Sequence, residues 1–461
     1  MKSRNIVLSL LVVLIAGGCA SYPVNPSLDK IDPQSGYRLQ NIEMNRGNSD
    51  ETFIILALSG GGTRAAAFSY GVIKELNCTK LRDSEATLLD EVDIISSVSG
   101  GSFASAYYGL YGKERFLSNF HEDVLSLKIE RALILRILAP WNWWHLASWY
   151  YGRSDLADRY YGRKIFNNAQ FKDLSRKRPF IMLNSTDISI GARFSFIQDH
   201  FDLLCSDMDR VSISRGVTAS SAFPVAFTPL TFKNYPKEKC GYTTPTWISK
   251  AKEDLERNAG RYDRALDWES YEDPSRSYIH LSDGGLSDNL GLRGPMLGLN
   301  WISSPLSIIS KFNILHGKRQ IKRVVIIVAD AQPKQPGKMD HSSHPPGIFS
   351  VLNAAASTPM ENYSSDSIEQ VRSYIEAIKM QFEDADEESP IEFYFSRVTF
   401  EAEKDVNIRR ELQKIKTSLQ LPEKEVKLLV EAGGRLLRQS PDFQRLRQEI
   451  GMSLPDNNNC R

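Results

Sequence analysis

Histidine is scarce in this chain, with seven residues in 461. That argues against a metal site built on imidazoles. The five cysteines never stand as C-x-x-C, which argues against structural zinc. Charge of one sign is also missing. Lys and Arg total 57 and Asp and Glu 56, for a net charge of +1, so no global field points to nucleic acid. There is no internal repeat and no low-complexity tract of consequence. What is present is the balance of a globular protein, 41% hydrophobic and 25% charged. The length suits one large α/β domain with insertions, or two domains of ordinary size.

The first residues carry Lys2 and Arg4, then the apolar run Ile6–Ile15, then Ala16-Gly17-Gly18 before Cys19. The run is too short to span a bilayer comfortably. Residues 1–18 read as a secretory signal peptide with a small-residue cleavage site. A Cys after small residues resembles a bacterial lipobox, in which Cys19 is lipidated and becomes the mature N-terminus. Ala16 stands where such boxes usually carry Leu. An ordinary cleaved signal with a stray Cys is the plainer alternative. Ala20 follows the Cys, not Asp, which resembles the sorting pattern for the periplasmic face of the outer membrane. Export permits disulfides. Cys78, Cys205, Cys240 and Cys460 allow three pairings, and unpaired thiols stay open as well.

Residues 19–50 are polar beyond the Cys, rich in Pro, Asn and Gly, and aperiodic. They read as a tether. Thr52–Leu58 is a dense apolar run, the mark of a buried strand. Ser59-Gly60-Gly61-Gly62 breaks it, and Thr63–Asn77 follows with helical spacing. Strand, glycine loop and helix open an α/β unit. Val92–Ser97, Pro179–Asn184 and Tyr278–Leu281 are further strands, and Ser102–Tyr111 is a helix. Arg323–Ala329 is apolar on both faces, as a central parallel strand is. Ile391–Phe400 alternates and suits an edge strand. Helices fall at Asp366–Phe382, Asn407–Ser418 and Glu423–Gln439. Tyr235–Ser277 is polar and reads as an insertion, and Gln332–Pro346 as a surface loop. The expected layout is a main domain over 51–331, with 235–277 inserted. A mainly helical extension over 332–461 packs on it.

Three pieces carry chemistry. The first is Ser99, in Ser97-Val98-Ser99-Gly100-Gly101. An acyl-transfer site needs a hydroxyl on a tight strand-to-helix turn with small neighbours. The helix N-terminus then turns amide N–H groups toward a developing oxyanion. The usual G-x-S-x-G has Ser97 at its first place here. A rival frame makes Ser102 the nucleophile, but Ser102 lies further from the strand end. The second piece is Gly60-Gly61-Gly62-Thr63-Arg64. Successive glycines before a helix can aim N–H groups at one point, for an oxyanion or a phosphate. No G-K-[ST] follows, so a P-loop is excluded. A dinucleotide loop is not excluded by this stretch alone, although Ala65 takes the place of its third glycine. The third piece is Asp283-Gly284-Gly285, a carboxylate at a strand end. It can serve as a base if it reaches the serine, and a plain D-G turn is the bland alternative.

Taken in this order, the pieces resemble the patatin-like phospholipase family. Ala219-Ser220-Ser221-Ala222-Phe223-Pro224, with Phe227 and Pro229, is similar to its A-S-x-A-x-P-x-x-F-x-P segment. Asn184-Ser185-Thr186-Asp187 is similar to its N-A-T-D, and Asp288-Asn289 falls near its Asn pair. The resemblance covers about Phe53–Asp330. It implies a three-layer α/β/α fold with a mostly parallel sheet, a Ser–Asp dyad and no catalytic His. By this resemblance Ser99 is the nucleophile and Asp283 the base. Gly60, Gly61 and Gly62 form the oxyanion hole, and Arg64 supports that loop. No metal or organic cofactor is implied. Ala65 and Ser97 depart from the family pattern, and the cytosolic phospholipase A2 catalytic domain resembles this chain at the first.

The implied activity is hydrolysis of carboxylic esters of membrane lipids. A non-catalytic lipid- or partner-binding envelope lipoprotein, and an esterase on soluble esters, are the alternatives. His200 and His280 are the imidazoles nearest the motifs, and both are expected to be structural. Trp141, Trp143, Trp144, Trp149, Tyr150, Tyr151, Tyr160 and Tyr161 crowd one region. Such a cluster suits either core packing or a membrane interface.

Overall fold

Thr52–Leu58 (β1) is buried along its whole length, as its unbroken apolar run requires. Each of its large aliphatic side chains contributes about 1.5–3 kcal/mol on leaving water. The computed structural model describes residues 21–43, 48–49, 51–82, 84–256, 258–295, 321–334, 343–384 and 391–452. Among these, β1 leads to helix α1 (Gly62–Cys78), strand β2 (Val92–Val98) and helix α2 (Gly100–Phe120). Helices α3 (Ile129–Leu138), α4 (Pro140–Leu146) and α5 (Arg153–Lys164) follow. Next come β3 (Phe180–Asp187), β4 (Ala192–Phe196), α6 (Gln198–Asp202), α7 (Ile213–Ser220) and β5 (Leu230–Lys233). The insertion holds α8 (Thr246–Ala251) and α9 (Ala259–Ser270), which close a small core of their own around Ile248, Ala251 and Ala265. The chain then runs through β6 (Tyr278–Asp283), α10 (Gly285–Asp288), β7 (Arg323–Asp330), α11 (Ile348–Asp384), β8 (Glu392–Thr399), α12 (Val406–Lys414), α13 (Glu423–Gln439) and α14 (Pro441–Ile450).

The strands form one sheet in the order β5-β6-β3-β2-β1-β7-β8, with β4 also paired to β3. β3, β2, β1, β7 and β8 run parallel. β4 and β6 lie antiparallel to β3, and β5 antiparallel to β6. This is the mostly parallel sheet that the sequence implies. Its central strands are buried on both faces because helices flank it. Ser97 reaches Ser105 of α2 on one face, while its neighbour Ser96 reaches Asn184 and lies against Gly291 on the other. That alternation is the strand's own two-residue period.

The described residues after 332 pack on the main domain and add a strand to its sheet. β8 extends the same sheet, pairing along its full length with β7. It is the edge strand expected, though parallel. α13 packs on α1 so closely that backbones touch: a methyl group at Gly71 would sit 2.1 Å from the Val430 carbonyl oxygen. Arg438 of α13 closes the contact with a two-pronged ion pair to Glu75 of α1, at 2.8 and 2.6 Å.

Three expectations need correction. Residues 21–43 do not run as a tether. Tyr37 is fully buried and stacks on Phe180 at 4.8 Å, and Leu28 and Ile31 donate backbone N–H groups to Cys205 and Cys240. Single anchors hold this segment, so it shows no period. Second, α11 begins at Ile348, well before Asp366, and runs through Pro359, a residue that ordinarily breaks a helix. Third, the sheet holds two strands beyond those the sequence announces, β4 and β5, both short and antiparallel. Of the cysteines, Cys205 and Cys240 form a disulfide. Cys78 is also disulfide-bonded. Cys19 and Cys460 lie outside the described residues.

Candidate active site

β2 ends at Val98 and α2 begins at Gly100, so Ser99 alone makes the turn, at φ 49° and ψ −115°. A side-chain-bearing residue rarely adopts such a backbone, and holding it there costs about 1–3 kcal/mol. The glycines after it let the turn form. A methyl group at Gly100 would sit 2.0 Å from the Gly62 carbonyl oxygen, and one at Gly101 2.7 Å from that of Leu58. Ser97 has a clear use at the first elbow place. Its hydroxyl lies 2.5 Å from that of Ser105 and 3.2 Å from that of Ser102, fastening β2 to α2. Ser102 sits inside α2, fully buried, with its hydroxyl also engaged by Ser220. The rival frame therefore offers no exposed nucleophile.

β6 brings Asp283 to Ser99. Val98 is in register with Asn184, and Asp283 with Ser185. The two residues therefore reach the same level of the sheet, with only β3 between them. Asp283 is 2% exposed. One carboxylate oxygen accepts the Gly285 N–H at 2.8 Å, and the Ser99 side chain lies near enough to favour the charged form of the carboxyl. Burial pushes the carboxyl up to about 6, and the Gly285 N–H and the nearby Ser99 side chain hold it from rising further. Neither candidate imidazole is among these partners. His200 is buried, accepts the Ser195 N–H at 3.3 Å, and packs edge-on against Phe194 and Trp268. Burial, and then Arg193, push it well below its ordinary value. His280 lies exposed on β6, bonded to Thr231 at 3.1 Å.

The glycine loop lies beside the serine. Gly61 and Gly62 have φ of 136° and 61°, which favours glycine. A methyl group at Gly62 would meet the Ser418 carbonyl oxygen at 2.4 Å, and one at Gly60 would lie 3.4 Å from the Ser99 Cβ. The expectation for Gly60 as an oxyanion donor needs correction: its N–H donates to the Asn289 carbonyl at 2.9 Å and is not available. Among the described residues, the Gly61 and Gly62 N–H groups have no protein acceptor. Arg64 supports the loop from below. Its guanidinium donates to the carbonyls of Ala331 at 2.8 Å and Ile415 at 2.9 Å, and burial lowers it to about 10.

Two residues that sequence reasoning gave no role hold this arrangement. Ser220, in the A-S-x-A segment, accepts the Ser99 N–H at 2.9 Å and donates to the Asn184 carbonyl at 2.6 Å. Asn289 receives Gly60 and sets its side chain beside Gly60 and Gly285. Both stood in recognised segments, and only the fold gives them partners more than a hundred residues away. Met360 of α11 packs against Gly285. Among the described residues, no group of three His, Cys, Asp or Glu side chains stands ready to hold a metal.

Solved structures similar to this chain include human GIVD cytosolic phospholipase A2. The identity is 12% over 87% of this chain and 63% of that one, with a TM-score of 0.43. The same human protein in complex with methyl gamma-linolenyl fluorophosphonate is 13% identical over 87% and 60%, with a TM-score of 0.36. The chain thus spans less than two thirds of the length of these proteins, and likeness of that degree carries no functional weight. No curated protein matches the chain. The family model described as Patatin-like phospholipase matches residues 56–296, more than half of the chain. The protein belongs to the patatin-like phospholipase family.

Proposed function

We propose that the protein hydrolyses carboxylic esters of membrane lipids with a Ser99–Asp283 dyad. Ser99 attacks the acyl carbonyl and Asp283 takes its proton, since a free serine hydroxyl needs a base. The tetrahedral oxyanion is held by the Gly61 and Gly62 N–H groups, a preorganised arrangement that can stabilise charge by several kcal/mol. Asp283 then returns the proton to the leaving alcohol, and a water activated by Asp283 releases the fatty acid and restores Ser99. The observation that carries the reading is one buried carboxyl brought, across the single strand β3, to the level of a strained strand-to-helix serine. Family membership supports lipid over other esters.

The test is release of fatty acid from phospholipid vesicles and from a soluble short-chain ester. Ser99→Ala should abolish both. Activity on the soluble ester alone would favour a general esterase. Activity on both that survives Ser99→Ala would refute the dyad. The N-terminal reading completes the proposal: residues 1–18 are a signal peptide, Cys19 carries lipid, and the protein sits on the periplasmic face of the outer membrane. Cys19→Ser should leave the precursor unprocessed or release it from membranes, and unchanged processing and membrane association would refute the anchor.

A further inference from the structure

Large apolar side chains stand exposed along one short stretch of this molecule. α3 turns Ile129 and Leu133 inward and leaves Leu135 and Leu138 in water. α4, and the loop after it, add Trp141, Trp144 and Tyr150, and Trp149 is 99% exposed. Scattered exposed apolar residues are ordinary, but eight large ones between 134 and 150 form a patch of the kind that marks a docking surface. The aromatic composition is that of a membrane–water interface, where Trp and Tyr rest at the headgroup level. Among the described residues no helix is long and apolar enough to cross a membrane, so this face can lie on a bilayer but not span it.

We infer that the outward face of α3, α4 and the Ser148–Gly152 loop docks on the surface of a lipid bilayer and holds the Ser99 site against it. The choice of a lipid surface rests on the lipid-ester reading above. Three further observations support it. First, the beginning of the described chain is fastened to this face: the Tyr22 N–H donates to the Tyr150 carbonyl at 2.8 Å. Cys19 is three residues upstream, within about 10 Å at full extension. A lipid on that cysteine, as proposed above, would be tied to this face by only a three-residue link.

Second, the face is tied to both halves of the site. Glu130 of α3 accepts the Ser418 hydroxyl at 2.7 Å, and the Ser418 carbonyl accepts the Thr63 N–H at 2.8 Å, next to the glycine loop. On the other side, Arg153 donates to the Val225 carbonyl at 3.2 Å. Three residues back, the Ala222 carbonyl accepts the Asp283 N–H at 3.0 Å. The exposed Val225 thus lies between the patch and the Asp283 turn. Third, the charge around the patch suits anionic lipid. Residues 128–153 carry Lys128, Arg131, Arg136 and Arg153 against Glu130 alone, and basic residues flanking an apolar face add attraction to anionic headgroups.

The test is tryptophan quenching of the full chain on vesicles of phosphatidylethanolamine and phosphatidylglycerol with brominated acyl chains. The unaltered protein should lose emission strongly. W141S/W144S/W149S should lose far less, and hydrolyse vesicle lipid about tenfold more slowly or worse, as removal of interfacial apolar area requires. These residues are exposed, so hydrolysis of a soluble short-chain ester should be unchanged, which also reports an intact fold. Absence of quenching in vesicle-bound unaltered protein would overturn the proposal. So would a dimer in sedimentation that the triple variant dissolves, because the face would then belong to a second copy. Quenching needs no turnover, so a protein that docks but hydrolyses nothing would refute the dyad and leave the docking face standing.

Discussion

Replacing Asp283 by Asn should make the protein more stable and nearly inactive, and the gain in stability should depend on pH. Burial raises the Asp283 carboxyl from 3.8 to about 6 in the folded protein. The folded state therefore holds this proton more tightly than the unfolded chain does. Stability from this group is fully present below the unfolded value near 4 and is lost as pH rises through about 6. At pH 8 the charged carboxylate should cost the fold about 3 kcal/mol, which is the magnitude expected of a shift from 3.8 to 6. Asn is nearly isosteric, can still accept the Gly285 N–H, and carries no charge to desolvate. Urea unfolding at pH 8 should show Asp283→Asn more stable by up to about 3 kcal/mol, and the gap should close as pH falls toward 4. Ester hydrolysis by the unaltered protein should rise with pH around 6, where the base loses its proton. At pH 8 the variant should be slower by about a hundredfold or more. A less stable variant at pH 8, or a stability gap independent of pH, would refute the reasoning.

Ser99→Gly should raise stability by about 1 kcal/mol or more by relieving the positive φ, while Ser99→Ala, which keeps that strain, should not; thermal unfolding of the two variants decides. Cys205→Ser with Cys240→Ser opens a bridge between residues 35 apart in sequence and should cost about 4 kcal/mol from loop closure, read as a lower urea midpoint. Gly71→Ala forces a methyl group onto the Val430 carbonyl oxygen and should cost about 1–3 kcal/mol by prising α13 from α1. An unchanged melting temperature would refute that contact.

The strands buried on both faces were the easiest to read, because β1, β2 and β7 have apolar runs that little else explains. The elbow at Ser99 and the turn at Asp283 were legible for a related reason: each combines a strand end with glycines, and sterics leave such sequences few alternatives. Gly60 shows the limit. Sequence places three amides in a row, but only the fold reveals that the Asn289 carbonyl takes one of them. Ser220 was invisible in the same way, since its use arises from register across β3 and from a helix 121 residues after Ser99. Residues 21–43 misled because a polar segment held by single anchors such as Tyr37 shows no period. The first half of α11 misled because Pro359 reads as a helix break, yet the helix runs through it.

The central claim is that Ser99 is the nucleophile, and covalent labelling tests it most directly. The folded protein should react with a serine-directed fluorophosphonate, and the labelled peptide should carry the adduct on Ser99. Asp283→Asn should slow the reaction and Ser99→Ala should abolish it. Labelling at Ser102, or no labelling of the folded protein, would contradict the account.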